Sequence, residues 1–296
     1  LRGAGDTKTP MKINLTANLA NVFGNAILIY GLLGFPALGA TGAGISTALS
    51  QVVATILLIK YISKKESTIH VSLKHKFSFD KDILYNLVKI GMPAALEQVA
   101  FRVGILIFTK LVASLGTVAY ATHQICINIL NLSFTPGQAF GISASTLSGK
   151  SLGASEPELA ESYIKECSKI GAVISVLMAI LFFLFGPFIA SFYSNNSQVV
   201  AEASDILKLM AFIQPFQTAQ LITSGGLRGA GDTVWTLVAT FIGVLGVRIV
   251  FAFYFVRVLA WGLMGAWASM LIDQLVRWLL IKIRFKTNKW KYISIR

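Results

Sequence analysis

Charged residues are scarce in this sequence: only 13% of its 296 residues are Asp, Glu, Lys or Arg, whereas a soluble domain carries about 25%. Hydrophobic residues make up 55% of the chain, and the mean hydropathy is +0.69. A water-soluble fold has no place for so much apolar surface, and lipid does. The shortage of charge therefore excludes an ordinary soluble domain and predicts a membrane protein.

Cysteine and histidine are also rare, with two and three residues respectively. Cys126 and Cys167 are too few for a disulfide framework, and we interpret them as packing residues. No His, Cys and carboxylate residues have metal-ligand spacing, and no nucleophile has an adjacent base. The sequence therefore predicts no enzyme, no bound metal and no cofactor.

Acidic residues number 13, against 26 basic ones. Such an excess can indicate nucleic-acid binding, but that function needs a solvated basic face. Here the cations lie between long apolar runs, as in the loops of membrane proteins. We therefore expect a lipid bilayer, and no nucleic acid, as the partner of this chain.

Long apolar runs are abundant. A transmembrane helix needs about 20 apolar residues, and we predict an all-α polytopic membrane protein with eight transmembrane helices. The predicted spans are residues 12–33, 38–60, 87–112, 119–145, 170–192, 200–225, 234–256 and 261–281. No signal peptide precedes the first span, and the chain starts at Leu1 within a loop, so we expect a larger N-terminal part to be missing.

Basic residues collect in alternate connections. Residues 61–82, the loop containing Lys150 and Lys165, and the tail 282–296 are cationic, while the other connections are nearly uncharged except for Arg257. The positive-inside rule places the basic side in the cytosol. We therefore expect a multi-pass plasma-membrane protein with a cytosolic C-terminus.

The heptapeptide LRGAGDT occurs twice, at residues 1–7 and 227–233. Six spans separate the copies, so both lie on one side of the membrane, as in parallel-repeat transporters with two lobes. The similarity continues in GATGAGISTALSQ (39–51) and GLMGAWASMLIDQ (262–274). We predict the last helix pair of a first lobe (1–62), a cytosolic linker (63–82), and a six-helix second lobe with a basic tail (83–296).

The second heptapeptide copy has the composition of a helix–turn–helix junction. Arg228 would lie at a helix C-terminus, Gly229 and Gly231 can adopt the positive φ that ends a helix, and Asp232 or Thr233 can cap the next helix. A gating role is the alternative to this structural role. The motif lacks the Lys-Ser/Thr ending of a phosphate-binding loop.

Several segments together resemble the multidrug and toxic compound extrusion (MATE) family. They are LRGAGDT before two spans, KIGMPAALEQ (89–98), ATHQICINILNLSFTPGQAFGISASTLSGKSLGA (121–154) and FIQPFQTAQLITSGGLRGAGD (212–232). The resemblance implies twelve helices in two lobes, of which this chain holds the fifth to twelfth. It also implies export of organic cations and other xenobiotics by alternating access, in exchange for H⁺ or Na⁺, with no obligate protein partner.

Amide side chains mark the predicted transport path. In span four, polar residues recur at steps of four and three, so they share one helix face; they are Gln124, Asn128, Asn131, Thr135 and Gln138. Span six adds Gln214, Gln217 and Gln220. The resemblance implies that spans three, four and six line the substrate cavity, and the alternative is hydrogen bonding between helices. Pro136 and Pro215 would loosen these two helices near the stripe.

Glu97 is the strongest single candidate, because an ionised carboxylate within the bilayer needs a partner or water. It can hold a proton, a sodium ion or an organic cation in turn, which is the requirement for exchange. The alternative is a static ion pair with Arg102 or Lys110.

Four further charged or titratable residues receive structural interpretations. We expect Asp273 and Arg277 to form an ion pair on a helix surface and His123 to be a hydrogen-bonded residue at the outer interface, while Arg248 has no identified partner. Because the cavity candidates are mostly amides plus one acid, we favour a cationic or neutral substrate over the phosphate-bearing substrate of the alternative function, a lipid-linked oligosaccharide flippase.

Overall fold

A computed structural model describes residues 1–64 and 80–293, in which there is no β-strand. Eight long helices occupy the eight predicted spans, which confirms the all-α class. They are α1 (Lys8–Tyr30), α2 (Gly39–Ile62), α3 (Lys81–Ala113), α4 (Thr117–Gly153), α5 (Pro157–Ser191), α6 (Ser197–Gly229), α7 (Thr233–Val258) and α8 (Gly262–Lys286).

Four of these helices, α2, α3, α5 and α7, are long and apolar enough to cross a membrane by length and composition alone. The other four carry the amide and charged residues that lower their hydropathy, such as the polar stripe on α4. The exposed face of α5 is strongly apolar: Leu184 and Phe188 are 63% and 62% exposed. A surface of this kind is typical of contact with lipid.

The described residues form two compact units, one ending at Lys64 and one beginning at Asp80. Most of the predicted linker, residues 65–79, lies outside the described residues, as do residues 294–296 of the predicted tail. In the first unit, α1 packs against α2. The Asn21 carbonyl accepts a hydrogen bond from the Ser46 hydroxyl (2.9 Å), and the Asn21 amide reaches the Thr47 hydroxyl (3.3 Å). The asparagine-rich face of α1 thus meets protein at Asn21.

Helix α6 is the central helix of the second unit and packs against α4, α5 and α8. Glycines allow its close contact with α4. A Cβ atom on Gly225 would lie 2.2 Å from the carbonyl oxygen of Gly141, and one on Gly229 would lie 2.1 Å from that of Ser145. Small residues of this kind let helix backbones approach within membranes, where apolar side chains gain nothing by leaving lipid.

Helix α7 departs from regular α geometry. Residues Phe241–Arg248 and Tyr254–Val258 are π-helical, and the first stretch ends at the buried Arg248. Gly243 lies within this stretch against α8, where an added Cβ would come 2.3 Å from Arg277 Cγ. π-Helical turns often occur at functional sites, and this one carries Arg248, which forms a buried ion pair with Asp273 of α8.

The second unit has two distinct ends. At the end that carries LRGAGDT, Arg284 of α8 binds Asp232 (Nε–Oδ2 2.6 Å), and Lys291 of the tail binds Glu158 (2.9 Å) and Glu161 of α5. At the opposite end, Arg257 donates to the Ser114 hydroxyl (2.9 Å). The basic connections of this unit therefore share one end, as the alternation of charges in the sequence requires.

Candidate ion and substrate site

Glu97 lies on α3 with only 4% of its surface exposed, and both of its carboxylate oxygens are hydrogen-bonded. Arg228 donates from Nη2 to Oε1 (2.6 Å) and from Nε to Oε2 (3.3 Å). The hydroxyls of Thr236 and Thr240 on α7 donate to Oε2 (3.0 Å) and Oε1 (3.1 Å). The alternative interpretation, a static ion pair, named Arg102 or Lys110 of α3 as the partner, whereas the cation that pairs with Glu97 is Arg228 of the second heptapeptide copy.

The second heptapeptide copy forms a tight junction between α6 and α7, with different side-chain roles from those predicted. Gly231 has φ +82°, the positive value expected there. Gly229 is instead helical, and its lack of a side chain serves the contact with Ser145. Asp232 and Thr233 make no side-chain cap on α7; Asp232 binds Arg284, and the Thr233 hydroxyl donates to the Ile90 carbonyl (3.0 Å). Tertiary contacts therefore replace local capping.

The first copy repeats this geometry. The amide of Asp6 donates to the Leu1 carbonyl (3.1 Å), as that of Asp232 donates to the Leu227 carbonyl (2.9 Å). Asp6 also accepts a hydrogen bond from the Tyr61 hydroxyl (2.7 Å). The backbone amide of Thr9 and the Tyr61 hydroxyl together lower the pKa of Asp6. The repeat in the sequence is thus also a repeat in structure.

A cavity of about 900 Å³ lies beside Glu97 within the second unit. Its walls come from α3, α4, α6, α7 and α8, so two more helices contribute than the resemblance implied. The lining residues are Glu97, Gln98, Phe101, Arg102, Ile105, Phe108, Thr109, His123, Gln124, Ile127, Leu130, Asn131, Phe134, Gln138, Gly141, Ile142, Ser145, Gln220, Leu221, Gly225, Arg228, Thr240, Arg248, Met270, Gln274 and Arg277.

The predicted amide stripe contributes three residues to this cavity, Gln124, Asn131 and Gln138. Asn128 is exposed but does not line it, and Gln217 is buried elsewhere, with neither amide atom hydrogen-bonded among the described residues. From span six, Gln220 lines the cavity.

Pro136 and Pro215 lie inside α4 and α6, and both helices continue through them. Neither proline lines the cavity. Their loosening effect on the two helices stays a prediction.

Arginine is the main charged residue of the cavity wall, which the sequence did not lead us to expect. Arg102, Arg228, Arg248 and Arg277 all line it, alongside the single acid Glu97. Predicted amides and the single acid are present in the wall, and the four arginines are an addition that the sequence analysis missed. Arg102 makes no hydrogen bond or ion pair with any described residue.

Asp273 binds two of these arginines and is itself completely buried. Arg248 donates from Nη2 (2.5 Å) and Nε (2.9 Å) to Oδ2. Arg277 donates from Nε to Oδ1 (2.8 Å) and from Nη2 to Oδ2 (3.0 Å). The predicted surface ion pair is thus a buried three-residue cluster, and it supplies the partner that Arg248 lacked. The signal in the sequence was Arg248 within an apolar span, which requires an acid on a neighbouring helix.

His123 is also buried rather than interfacial, with 2% of its surface exposed. Its ring lies 5.7 Å from both Phe108 and Trp267, measured between ring centroids. Its Nδ1 atom has no hydrogen-bond partner among the described residues, so the predicted interfacial hydrogen bond is wrong.

Comparison with known proteins decides the family. Residues 93–254 match the MatE family. The chain belongs to this family. It is 32% identical over 293 residues to a probable multidrug resistance protein NorM of Thermotoga maritima, covering 98% of this chain and 62% of that protein. It is 32% identical over 233 residues to the multidrug resistance protein MdtK of Yersinia pseudotuberculosis, covering 78% of this chain and 51% of MdtK.

Solved structures agree on the fold of this MatE chain. A crystal structure of MATE in complex with MaD3S superposes with a TM-score of 0.87 at 23% identity, covering 98% of this chain and 64% of that one. The chain spans less than two thirds of the length of each of these three proteins.

Proposed function

We propose that the complete protein exports xenobiotics, organic cations among them, across the plasma membrane in exchange for H⁺ or Na⁺. In this proposal all eight helices cross the bilayer, the C-terminus is cytosolic, and two lobes alternate access to the cavity. It is a transporter and not an enzyme. The names of the relatives support drug export, and the cavity provides a place for a small molecule within the helix bundle.

The observation that carries the proposal is the environment of Glu97. The carboxylate is buried at the cavity wall and held by one guanidinium and two hydroxyls. A proton on either oxygen cancels the charge that attracts Arg228. A sodium ion would use the same carboxylate oxygens together with the hydroxyl oxygens of Thr236 and Thr240, since sodium prefers oxygen ligands. In both cases the coupling cation competes with Arg228.

This competition links cation binding to the α6–α7 junction. Arg228 lies in the last turn of α6, directly before Gly229, Gly231 and Asp232. When a cation occupies Glu97, the guanidinium loses its partner, and the junction loses one of its two ion pairs to the surrounding helices. A ligand shifts the equilibrium between two conformations only if it binds one of them more tightly. Here the coupling cation binds more tightly to the conformation in which Arg228 is not paired with Glu97. The junction thus acts as both a structural turn and a gate.

The proposal is tested with Glu97→Gln, which imitates the protonated carboxyl without its titration. Cells expressing the complete protein are scored for drug efflux, and membrane vesicles are given a pH gradient or a sodium gradient in turn. We expect the variant to be expressed but to lose efflux, and the gradient that drives the wild-type protein identifies the ion. Glu166→Gln is the matched control, since Glu166 pairs with Lys169 on an exposed surface. Wild-type efflux by Glu97→Gln would remove this residue from the mechanism.

The alternative function is flipping of a lipid-linked oligosaccharide. Four arginines at the cavity wall favour it, because guanidinium groups bind phosphate in a two-pronged geometry. It predicts that expression of the complete protein leaves drug susceptibility unchanged, whereas the efflux proposal predicts a rise in resistance that depends on Glu97.

A further inference from the structure

A groove of about 410 Å³ lies between α5 and α6 on the outer surface of the second unit, and it shares no lining residue with the cavity beside Glu97. All nine side chains that line it are apolar. Val176 and Leu184 of α5 and Phe212 of α6 line the groove and are also exposed. A hydrocarbon chain can fill such a groove, whereas a polar molecule would find no side-chain hydrogen-bond partner there.

Aromatic residues connect one end of this groove to a lysine. The ring of Phe216, which lines the groove, lies 5.3 Å from the ring of Trp278 on α8. The Lys282 ammonium lies 4.3 Å from the centre of the Trp278 ring. Lys282 is exposed and forms no ion pair with any residue that the structure describes. Tryptophan and lysine in this arrangement are typical of the membrane–water interface.

A second lysine lies toward the same end of the groove. Lys169 precedes Val176 by seven residues on α5, so both lie on one face of that helix. It is exposed and pairs with Glu166 (2.6 Å). This is the end of the second unit that carries LRGAGDT, because Arg284, two residues after Lys282, binds Asp232. The apolar groove therefore leads to an excess of positive charge.

The distances along the helices match half of a bilayer. Lys282 and Trp278 are four residues apart, or about 6 Å along the axis at 1.5 Å per residue, and Val176 and Leu184 are eight residues apart, or about 12 Å. Together these spans reach about 18 Å, and half of the hydrocarbon core is about 15 Å. A phospholipid whose phosphate lies at Lys282 can thus place an acyl chain along the groove.

We propose that the α5–α6 groove and Lys282 together bind one anionic phospholipid from the leaflet on the LRGAGDT side. The acyl chain fills the groove, and the phosphate pairs with the Lys282 ammonium. A zwitterionic lipid would bring a second ammonium group beside Lys282 and Lys169, so the charge of the site favours an anionic headgroup. The proposal rests on the proposed function only in taking the eight helices to cross the bilayer.

The test uses the complete protein, purified in phosphatidylcholine nanodiscs. A small and equal fraction of the lipid is replaced by phosphatidylglycerol or by phosphatidylcholine with brominated acyl chains, which quench tryptophan fluorescence on contact. The quenching that is lost in Trp278→Phe reports the lipid at this site. We expect the site to prefer phosphatidylglycerol at least about fivefold and Lys282→Gln to remove this preference, since one basic residue near anionic lipid has an effect of about that size.

Matched variants separate the headgroup contact from the groove. Lys282→Arg should keep the preference, and so should Lys208→Gln, because Lys208 pairs with Asp205 at the opposite end of the unit. Val176→Phe, at an exposed position, should fill the groove and reduce quenching by phosphatidylglycerol to the level of phosphatidylcholine. An unchanged preference in Lys282→Gln would overturn the proposal.

Equal quenching by the two brominated lipids in the wild-type protein also overturns the proposal, and this comparison requires no variant to fold. Loss of the preference on adding glycerol 1-phosphate would show that the headgroup alone binds, without the groove. Rapid disulfide formation between two copies of Leu184→Cys would show that a second copy covers the groove. Either result overturns the lipid site.

Glu97→Gln distinguishes this proposal from the coupling mechanism, because it should keep the wild-type lipid preference. Wild-type efflux by Glu97→Gln together with selective quenching would overturn only the coupling mechanism. Efflux that depends on Glu97, together with equal quenching by both lipids, would overturn only the lipid site.

Discussion

Arg228 and Glu97 are 131 positions apart in the sequence, yet Nη2 of the first and Oε1 of the second lie 2.6 Å apart. The pair joins the repeated heptapeptide to the acid that we propose as the cation site. A turn formed only for structure would not need its arginine inside the bundle. The contact therefore connects two features that the sequence presents separately, the repeat and the buried acid.

Removing this arginine should strengthen cation binding while slowing transport. In Arg228→Gln the coupling cation no longer competes with a guanidinium, so we expect it to bind Glu97 at least about tenfold more tightly. A tenfold change is about 1.4 kcal/mol, which is no more than the coupling of about 1.5–7 kcal/mol that is typical of close charge pairs. Binding of ²²Na⁺ and drug-induced proton release measure this in purified protein. Arg228→Lys keeps the charge but not the two-pronged geometry, so its affinity for the coupling cation should lie between those of the wild-type protein and Arg228→Gln. Unchanged affinity for both ions would contradict the competition mechanism.

The buried cluster predicts a large loss of stability. Asp273→Asn leaves Arg248 and Arg277 buried without their anion, and breaking a buried pair in this way costs about 3–5 kcal/mol. Unfolding in detergent mixtures, followed by circular dichroism, measures the change. Asp205→Asn is the control, because Asp205 pairs with Lys208 on an exposed surface, where a pair contributes about 0–1 kcal/mol. Similar losses for both variants would mean that the cluster is not buried as described.

Hydropathy and periodicity predicted the helices well, because lipid imposes a minimum length on every apolar span. They also identified Glu97, since one acid in an apolar span is conspicuous. They failed for Arg248, Asp273 and Arg277, because contacts between helices depend on helix rotation, which a single span does not specify. The i, i+4 spacing of Asp273 and Arg277 is the same on a surface helix and in a buried cluster.

Gly229 shows a second limit of sequence analysis. Glycine is required either where φ is positive or where two backbones come close together, and only the structure shows which reason applies at a given position. Gly231 has the first use and Gly229 the second. In the first copy, Gly5 has φ +90°, so it shares the use that Gly231 has in the second.

The close contact between α4 and α6 predicts a position that does not tolerate a methyl group. In Gly225→Ala the new Cβ meets the Gly141 carbonyl oxygen at 2.2 Å, so the helices must separate, at a cost of about 1–3 kcal/mol. Gly91→Ala on α3 meets nothing within 4 Å and should be neutral or slightly stabilising, because alanine favours helix. Thermal unfolding in detergent compares the two variants. A loss of stability confined to Gly91→Ala would contradict the packing described here.

The docked tail offers a prediction with a defined pH dependence. Trp290 is fully buried, stacks on Phe285 at 5.4 Å and donates from Nε1 to the Phe285 carbonyl (3.0 Å). The next residue, Lys291, binds Glu158 and Glu161. Burial tends to lower the pKa of Lys291, but its hydrogen bonds to Glu161 and Glu158 outweigh this and raise it.

Because the pKa of Lys291 is raised on docking, this contact stabilises the docked tail fully below the ordinary lysine pKa of about 10.4 and loses that effect as the pH rises beyond it. We therefore expect the ¹⁹F resonance of 5-fluorotryptophan at position 290 to stay at its docked position from neutral pH to about pH 10 and to shift above it. Lys291→Gln should show the shifted resonance already at neutral pH, because the tail loses both ion pairs. Lys282→Gln is the control, since the Lys282 ammonium lies 4.3 Å from the centre of the Trp278 ring and forms no ion pair with any described residue. A docked resonance in Lys291→Gln would show that Trp290 packing alone holds the tail.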